Sequence, residues 1–435
     1  MRGSVFRVIG GGVGLGLLAA VGVSGRNGAA QADRGEIGAG PDDGDDLDLV
    51  MVHVVCRHGA RTPLNTFAGG HDLGTKWLVC TEEKRNSLEA DVEVKGVNGD
   101  PPGHVHNMDA TPMPLAGGCF PGELTDLGKT QLYQLGKRLR KRYVHGASGG
   151  EKLLSPRFSS DEVYVRSSFQ QRAVESAQSL LAGLFPAESR PEQVPVHVMD
   201  GKKETIFPNV LGCPRLMSLF LEAKKGWAAI EERDEIRDRL ALLADEESPG
   251  IAITHYFDNL KSRSAHGLII PEDVSQGLFD DIHRLATTEA AALFQDPVAL
   301  RLSIGPLWKE IQNAHEKILK NEESEGGKRH KLVIYSGHDT TLIPMLLSLN
   351  AFDEKWPEYS ANLVIELLRS RATGEPLVRF LYNDQVLKIP GCGGKEACQY
   401  DEFKNILADV SKEIQPEDCF DKQAGDGPSV GTSFN

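Results

Sequence analysis

Four six-residue runs of apolar and β-branched residues recur along the chain: MVHVVC (51–56), EVYVRS (162–167), VPVHVM (194–199) and KLVIYS (331–336). Runs of this length and composition predict strands buried within a sheet. Between them the apolar spacing lengthens. LTDLGKTQLYQLGKRLRKRYV (124–144) sets Leu124, Leu127, Leu135 and Leu139 on one side of a helix. Its basic run, Lys137 to Arg142, reads as the solvated face and carboxyl end of that helix, where cations suit the dipole. SFQQRAVESAQSLLAGLF (168–185) predicts a second amphipathic helix, and NLVIELL (362–368) with LVRFLYN (377–383) predicts a closing hairpin. Strands alternating with helices predict an α/β fold with a mostly parallel central sheet flanked by helices. No strand pattern occurs from about 204 to 302, where charged helical segments predict an inserted α-helical cap. The expected organisation is an α/β core over 49–203 and 303–415, a cap over 204–302 and a flexible tail over 416–435.

Net charge is −14. That excludes a general nucleic-acid binder, which needs a basic face. It leaves room for an anionic substrate held by a few arginines in one cleft. At the amino end, Arg2 and Arg7 precede an uncharged run, and Ala30-Gln31-Ala32 has the small-x-small form of a signal-peptidase site. Residues 1–32 are therefore expected to be a signal or targeting segment, with a secretory or extracellular destination. A mitochondrial presequence and an uncleaved membrane anchor are the alternatives. Residues 33–48, including GPDDGDDLD, read as an acidic linker.

Seven cysteines leave at least one thiol free if the others pair. Cys392 and Cys398 enclose a short glycine-rich loop and form the expected disulfide. There is no paired CxxC arrangement, so a metal site is not expected.

In an open α/β sheet a ligand sits beyond the carboxyl ends of the strands. MVHVVC runs into Arg57-His58-Gly59-Ala60-Arg61, EVYV into Arg166-Ser167-Ser168, and KLVIYS into Gly337-His338-Asp339. Taken singly, each has an ordinary reading: a lone histidine after a strand is more often structural, and a lone arginine is half of an ion pair. Their delivery to one sheet edge points to a site. The set suits phosphoryl transfer, in which catalysis is mostly positioning and charge stabilisation. Guanidinium forks from Arg57, Arg61 and Arg166 match phosphate oxygens. Gly59 would allow close backbone approach to the phosphate. His58 supplies a nucleophilic nitrogen when neutral, His338 a hydrogen bond to phosphate, and Asp339 a proton for the leaving oxygen.

RHGARTP (57–63) and SGHDTTL (336–342) resemble the two signatures of the histidine acid phosphatase family, branch 2 of the histidine phosphatase superfamily. PLAGGCFPGELTDLGKTQLYQLGKRLRKRYV (114–144), LLSPRFSSDEVYVRSS (153–168) and FDEKWPEYSANLVIEL (352–367) resemble its lysophosphatidic acid phosphatase group, with a weaker echo in ETIFPN (204–209). The resemblance covers about 49–215 and 331–410 and is poor through the cap. It implies a phosphohistidine at His58, phosphate binding by Arg57, Arg61, Arg166 and His338, and proton donation by Asp339. No cofactor or metal is implied. Arg172 and Ser176 also fit the family and are read as structural supports.

The expected activity is an acid phosphatase acting on a small-molecule phosphomonoester. The resemblance implies lysophosphatidic acid, cleaved to monoacylglycerol and phosphate, and leaves peripheral membrane contact open. The alternative within enzymes is a phosphatase for sugar phosphates, including a phosphoxylose, or for inositol phosphates. A phytase should ring its arginines with further cations, whereas EERDEIRDR (231–239) mixes signs. The alternative from another class, an idle binder of phosphate or lipid, requires a lost nucleophile or acid, and both are present. The sequence does not set the oligomeric state.

Overall fold

The computed structural model describes residues 47–64, 75–80, 88–105, 114–146, 152–227, 235–236, 238–239, 253–322 and 327–420. The predicted leader, most of the acidic linker and most of the tail lie outside these residues.

Five parallel strands form the core of one sheet. In spatial order they are β2 (Val92–Lys95), β4 (Val194–Val198), β3 (Val163–Ser167), β5 (Leu332–Gly337) and β1 (Leu47–Arg57). Beyond β1 the sheet continues antiparallel through β6 (Asn362–Ser370), β7 (Pro376–Tyr382) and the short β8 (Gln385–Val386), and β9 (Ala397–Gln399) also pairs with β7. The predicted strands and closing hairpin all form. Strand β2 was not predicted. Its burial alternates along VEVK because it is the edge strand, and four residues give too short a signal.

Alternation along β1 divides the core. Val52, Val54 and Cys56 meet Val163, Val165, Leu332 and Ile334 on one face. Helices α1 (Asp126–Leu139) and α2 (Gln171–Leu184) cover that face with Leu132, Leu135, Leu139, Leu180 and Leu181. Met51 and Val55 face the other way. There Ile304, Leu307, Trp308 and Ile311 of α6 (Pro297–Leu319) pack with Leu342 and Met345 of α7 (Asp339–Ser348) and Phe403 of α8 (Tyr400–Ile406). The result is a three-layer α/β/α sandwich. His53 lies on this second face, buried against His315 of α6 at Nδ1···Nε2 3.2 Å.

Between β4 and β5 the described residues hold helices and no strand, as expected. They are α3 (Pro214–Trp227), α4 (Ile253–Ala265) and α5 (Gln276–Ala292), followed by α6. The expected cap boundary at 302/303 is corrected: it falls inside α6. Asp296 caps that helix, its Oδ1 accepting the amides of Val298 and Ala299, and Pro297 starts it.

Three disulfides form: Cys80–Cys119, Cys213–Cys419 and the expected Cys392–Cys398. Cys56 is the free thiol, buried in β1.

Candidate active site

The carboxyl ends of β1 and β5 lie side by side, with Arg57 in register with Gly337. The His58 amide donates to the Gly337 carbonyl at 2.9 Å, and the Ser168 amide after β3 donates to Ser336 at 3.0 Å. His58, His338 and Asp339 therefore leave neighbouring strand ends, as the topology rule predicts. The loop after β1 is seated on the start of α1. A Cβ on Gly59 would fall 2.3 Å from the Gly128 carbonyl oxygen, and one on Gly128 would fall 2.1 Å from that of Ala60. Gly59 thus permits close packing on α1, a use the sequence reading did not foresee. Its amide donates to Ser176 Oγ at 3.1 Å, which makes Ser176 the expected support.

His58 Nδ1 lies 2.8 Å from the Gly59 carbonyl. A carbonyl only accepts, so Nδ1 carries the proton and Nε2 keeps its lone pair. The His58 and His338 rings stand 5.5 Å apart, edge to face. Burial, reinforced by Arg172, Arg57, Arg61 and His338, holds the His58 pKa well below the usual histidine value. The same burial, with Arg172 next, brings His338 down to about 3 against the opposing pull of Asp339. Both shifts favour the neutral ring, the form in which His58 keeps a free lone pair. His338 Nε2 lies 2.8 Å from Ser168 Oγ, and Phe207 stands edge-on to the His338 ring at 5.1 Å.

Arg57 is fixed on three sides. Its Nη1 donates to the Pro357 carbonyl at 2.6 Å, its Nη2 lies 2.8 Å from Asp339 Oδ2, and its guanidinium stacks 4.4 Å over the Tyr359 ring. Arg61 Nη1 donates to Thr62 O at 3.0 Å, and Nη2 pairs with Asp258 Oδ1 of α4 at 2.7 Å. The Nε atoms of both arginines are buried and make no hydrogen bond among the described residues. Two buried donors of this kind favour an anionic ligand. Asp339 opens α7. Its Oδ1 accepts the Thr340 amide at 2.8 Å and its Oδ2 the Trp356 indole N–H at 3.2 Å. Burial pushes its pKa up, but Arg57, His338 and Arg61 outweigh burial and bring it below the usual carboxylate value.

Arg166 requires a correction. It lies within β3, where Tyr164 two residues earlier shares its face. Its guanidinium is fully buried against Glu310 at 2.5 Å, Glu204 at 3.0 Å and Thr205 at 2.7 Å. Two carboxylates compensate the charge there, so it is an internal ion-pair centre and not a ligand of the pocket. Arg172 is the arginine whose charge acts on both His58 and His338. It stands half-buried on the first turn of α2. The strand-end rule selected Arg166, and the alternation of β3 was the signal against it. Asp258, Trp356 and Tyr359 were also missed, because nothing local marks residues that reach a site from a distant helix or loop.

A sequence model of the histidine phosphatase superfamily (branch 2) matches residues 48–249 and 280–383. Lysophosphatidic acid phosphatase type 6 of Mus musculus is 29% identical over 403 residues, spanning 89% of this chain and 91% of the relative. Prostatic acid phosphatase of Homo sapiens is 24% identical over 409 residues, spanning 88% and 91%. Among solved structures, the phytase of Citrobacter braakii superposes with a TM-score of 0.56 at 16% identity, over 86% of this chain and 99% of that one. That likeness concerns the fold. The match to the family model extends from β1 through β7 and takes in both strand ends that carry the histidines, and so the chain belongs to branch 2 of the histidine phosphatase superfamily.

Proposed function

We propose that this phosphomonoester hydrolase works through a phosphohistidine on His58 Nε2. Substrate phosphate sits among Arg57, Arg61, Arg172 and His338. Nε2 attacks phosphorus in line while Asp339 protonates the departing oxygen. Asp339, now a carboxylate, takes a proton from water as that water attacks the phosphohistidine and releases phosphate. The observation that carries this reading is the Nδ1–Gly59 carbonyl bond, which commits the free lone pair to Nε2. Replacing His58 by Ala should abolish turnover of p-nitrophenyl phosphate, and a variant with wild-type activity would refute the assignment.

We infer a lysophospholipid substrate from two supports. The relatives named lysophosphatidic acid phosphatase span most of this chain. Aromatic side chains also stand beside the site, with Phe207 on His338 and Phe257 packing 4.7 Å from Trp356. An apolar alcohol group suits such neighbours better than a second phosphate does. A release assay comparing lysophosphatidic acid, phytate and phosphosugars tests this, and preference for either of the latter two would replace the lipid reading. For location, three disulfides favour an oxidising compartment and hence the secretory route. Among the described residues no helix is long and apolar enough to cross a membrane. Peripheral contact with a bilayer belongs to the same proposal and is tested by presenting the lipid in vesicles.

A further inference from the structure

Helix α4 belongs to the cap, yet one of its faces is built into the supports of the phosphate site. Asp258 and Ser262 share that face at four-residue spacing, and His266, the first residue beyond the helix, continues the row. Each meets a different support. Asp258 Oδ1 lies 2.7 Å from Arg61 Nη2, and its Oδ2 accepts the Leu64 amide at 2.7 Å. Ser262 Oγ lies 3.1 Å from the Tyr359 hydroxyl, and the Tyr359 ring underlies Arg57. His266 Nε2 lies 2.8 Å from Thr125 Oγ1, and the Thr125 amide donates to the Ala60 carbonyl at 3.0 Å. The stripe therefore reaches both arginines of the RHGAR loop and its backbone.

We propose that Asp258 is a positioning residue that sets the affinity of the site for phosphate through Arg61. The inference rests on the reading that Arg61 binds phosphate. Thr62 O and Asp258 anchor the two η nitrogens of Arg61, one each. The guanidinium plane is then fixed, with the buried Nε–H and the second N–H of each η nitrogen left as donors for an anion. Asp258 accepts the Leu64 amide with its other oxygen, so it also holds the backbone just beyond Arg61. Without the carboxylate the long Arg61 side chain regains rotamer freedom and loses a charge-assisted bond.

The test uses the full chain, with p-nitrophenyl phosphate as substrate and inorganic phosphate as competitor. Asp258→Ala should raise KM and the phosphate inhibition constant together by about tenfold, the scale of one such bond, with kcat changing far less. Asp258→Asn keeps an acceptor for Nη2 and should recover most of the loss, and it keeps the test open if the alanine variant fails to fold. Unchanged constants in both variants, alongside raised constants in Arg61→Ala, would overturn the proposal while leaving Arg61 a phosphate ligand. Tighter phosphate inhibition would also overturn it, since Asp258 would then only screen the Arg61 charge. Unchanged constants in Arg61→Ala itself would remove the reading on which the proposal stands.

Discussion

Arg57 Nη2 lies 2.8 Å from Asp339 Oδ2, so a proposed phosphate ligand and the proposed acid are bonded to each other in the resting site. That contact helps keep Asp339 ionised. A bound phosphate dianion draws on the same guanidinium and adds negative charge beside the carboxyl, and both effects raise its affinity for a proton. Binding thus loads the acid. The rate from bound substrate should fall as pH rises through the bound-state pKa of Asp339, and that pKa should exceed the value in the free protein. Asp339→Asn should lower kcat/KM, which reports the phosphorylation step, by about 10²-fold or more for alkyl phosphates, with a smaller loss for p-nitrophenyl phosphate, whose leaving group needs little protonation. Equal losses in kcat/KM for the two substrates would count against the acid role.

The two arginines near β3 should separate cleanly in kinetics. Arg172→Ala should raise KM and the phosphate inhibition constant, because its charge acts at His58 and His338. Arg166→Met should act mainly on stability. It leaves Glu204 buried without its cation, a loss of about 3–5 kcal/mol. Thermal melting with phosphate inhibition on both variants checks this. Stronger loss of phosphate binding in Arg166→Met than in Arg172→Ala would restore Arg166 to the pocket.

Glu366 of β6 offers a contrast far from the chemistry. It is fully buried, with Arg142 Nε at 2.8 Å, Arg379 Nη2 at 2.7 Å and the Tyr143 hydroxyl at 2.7 Å. It ties α1's continuation to the antiparallel edge of the sheet. Glu366→Ala should cost about 3–5 kcal/mol in denaturant unfolding, since buried cations lose their counter-ion, while KM of the folded fraction stays unchanged. A loss below about 1 kcal/mol would mean that water enters and replaces the carboxylate.

Acid should weaken the fold through its buried histidines. The pKa of His53 is well below the usual value, by burial and then by His315, and burial brings His315 to about 3. For groups depressed in the folded state, the unfolded chain binds protons first. Their contribution is complete above about pH 6.5 and declines as pH falls from there toward 3. His315→Gln removes one such group. Its deficit relative to the parent should narrow with acidification, by at most about 1.4 kcal/mol per pH unit. A deficit that stays constant or widens would contradict the assignment.

The core strands and the cluster that holds the proposed nucleophile were legible in the sequence, for a physical reason. Buried parallel strands need continuous apolar runs, and the strand-end rule places His58, His338 and Asp339 together without any tertiary detail. Arg166 shows where that rule fails: closeness to a strand end does not fix which face a side chain takes, and β3 points it at Glu204 and Glu310. Asp258 and Trp356 were illegible because their partners are 197 and 17 residues away and their types carry no chemistry alone. Edge strand β2 was too short to register.

The proposed mechanism turns on a phosphoryl group carried on His58. Asp339→Asn should form it and then stall, because hydrolysis of the intermediate needs the carboxylate as base. Mixing this variant with p-nitrophenyl phosphate, quenching in alkali and mapping peptides by mass spectrometry reads the site directly. An acid-labile phosphoryl group is expected on His58, formed with a burst of nitrophenol and absent from His58→Ala. A phosphoryl group on any other residue, or continued turnover with His58 unmodified at every time point, would contradict it.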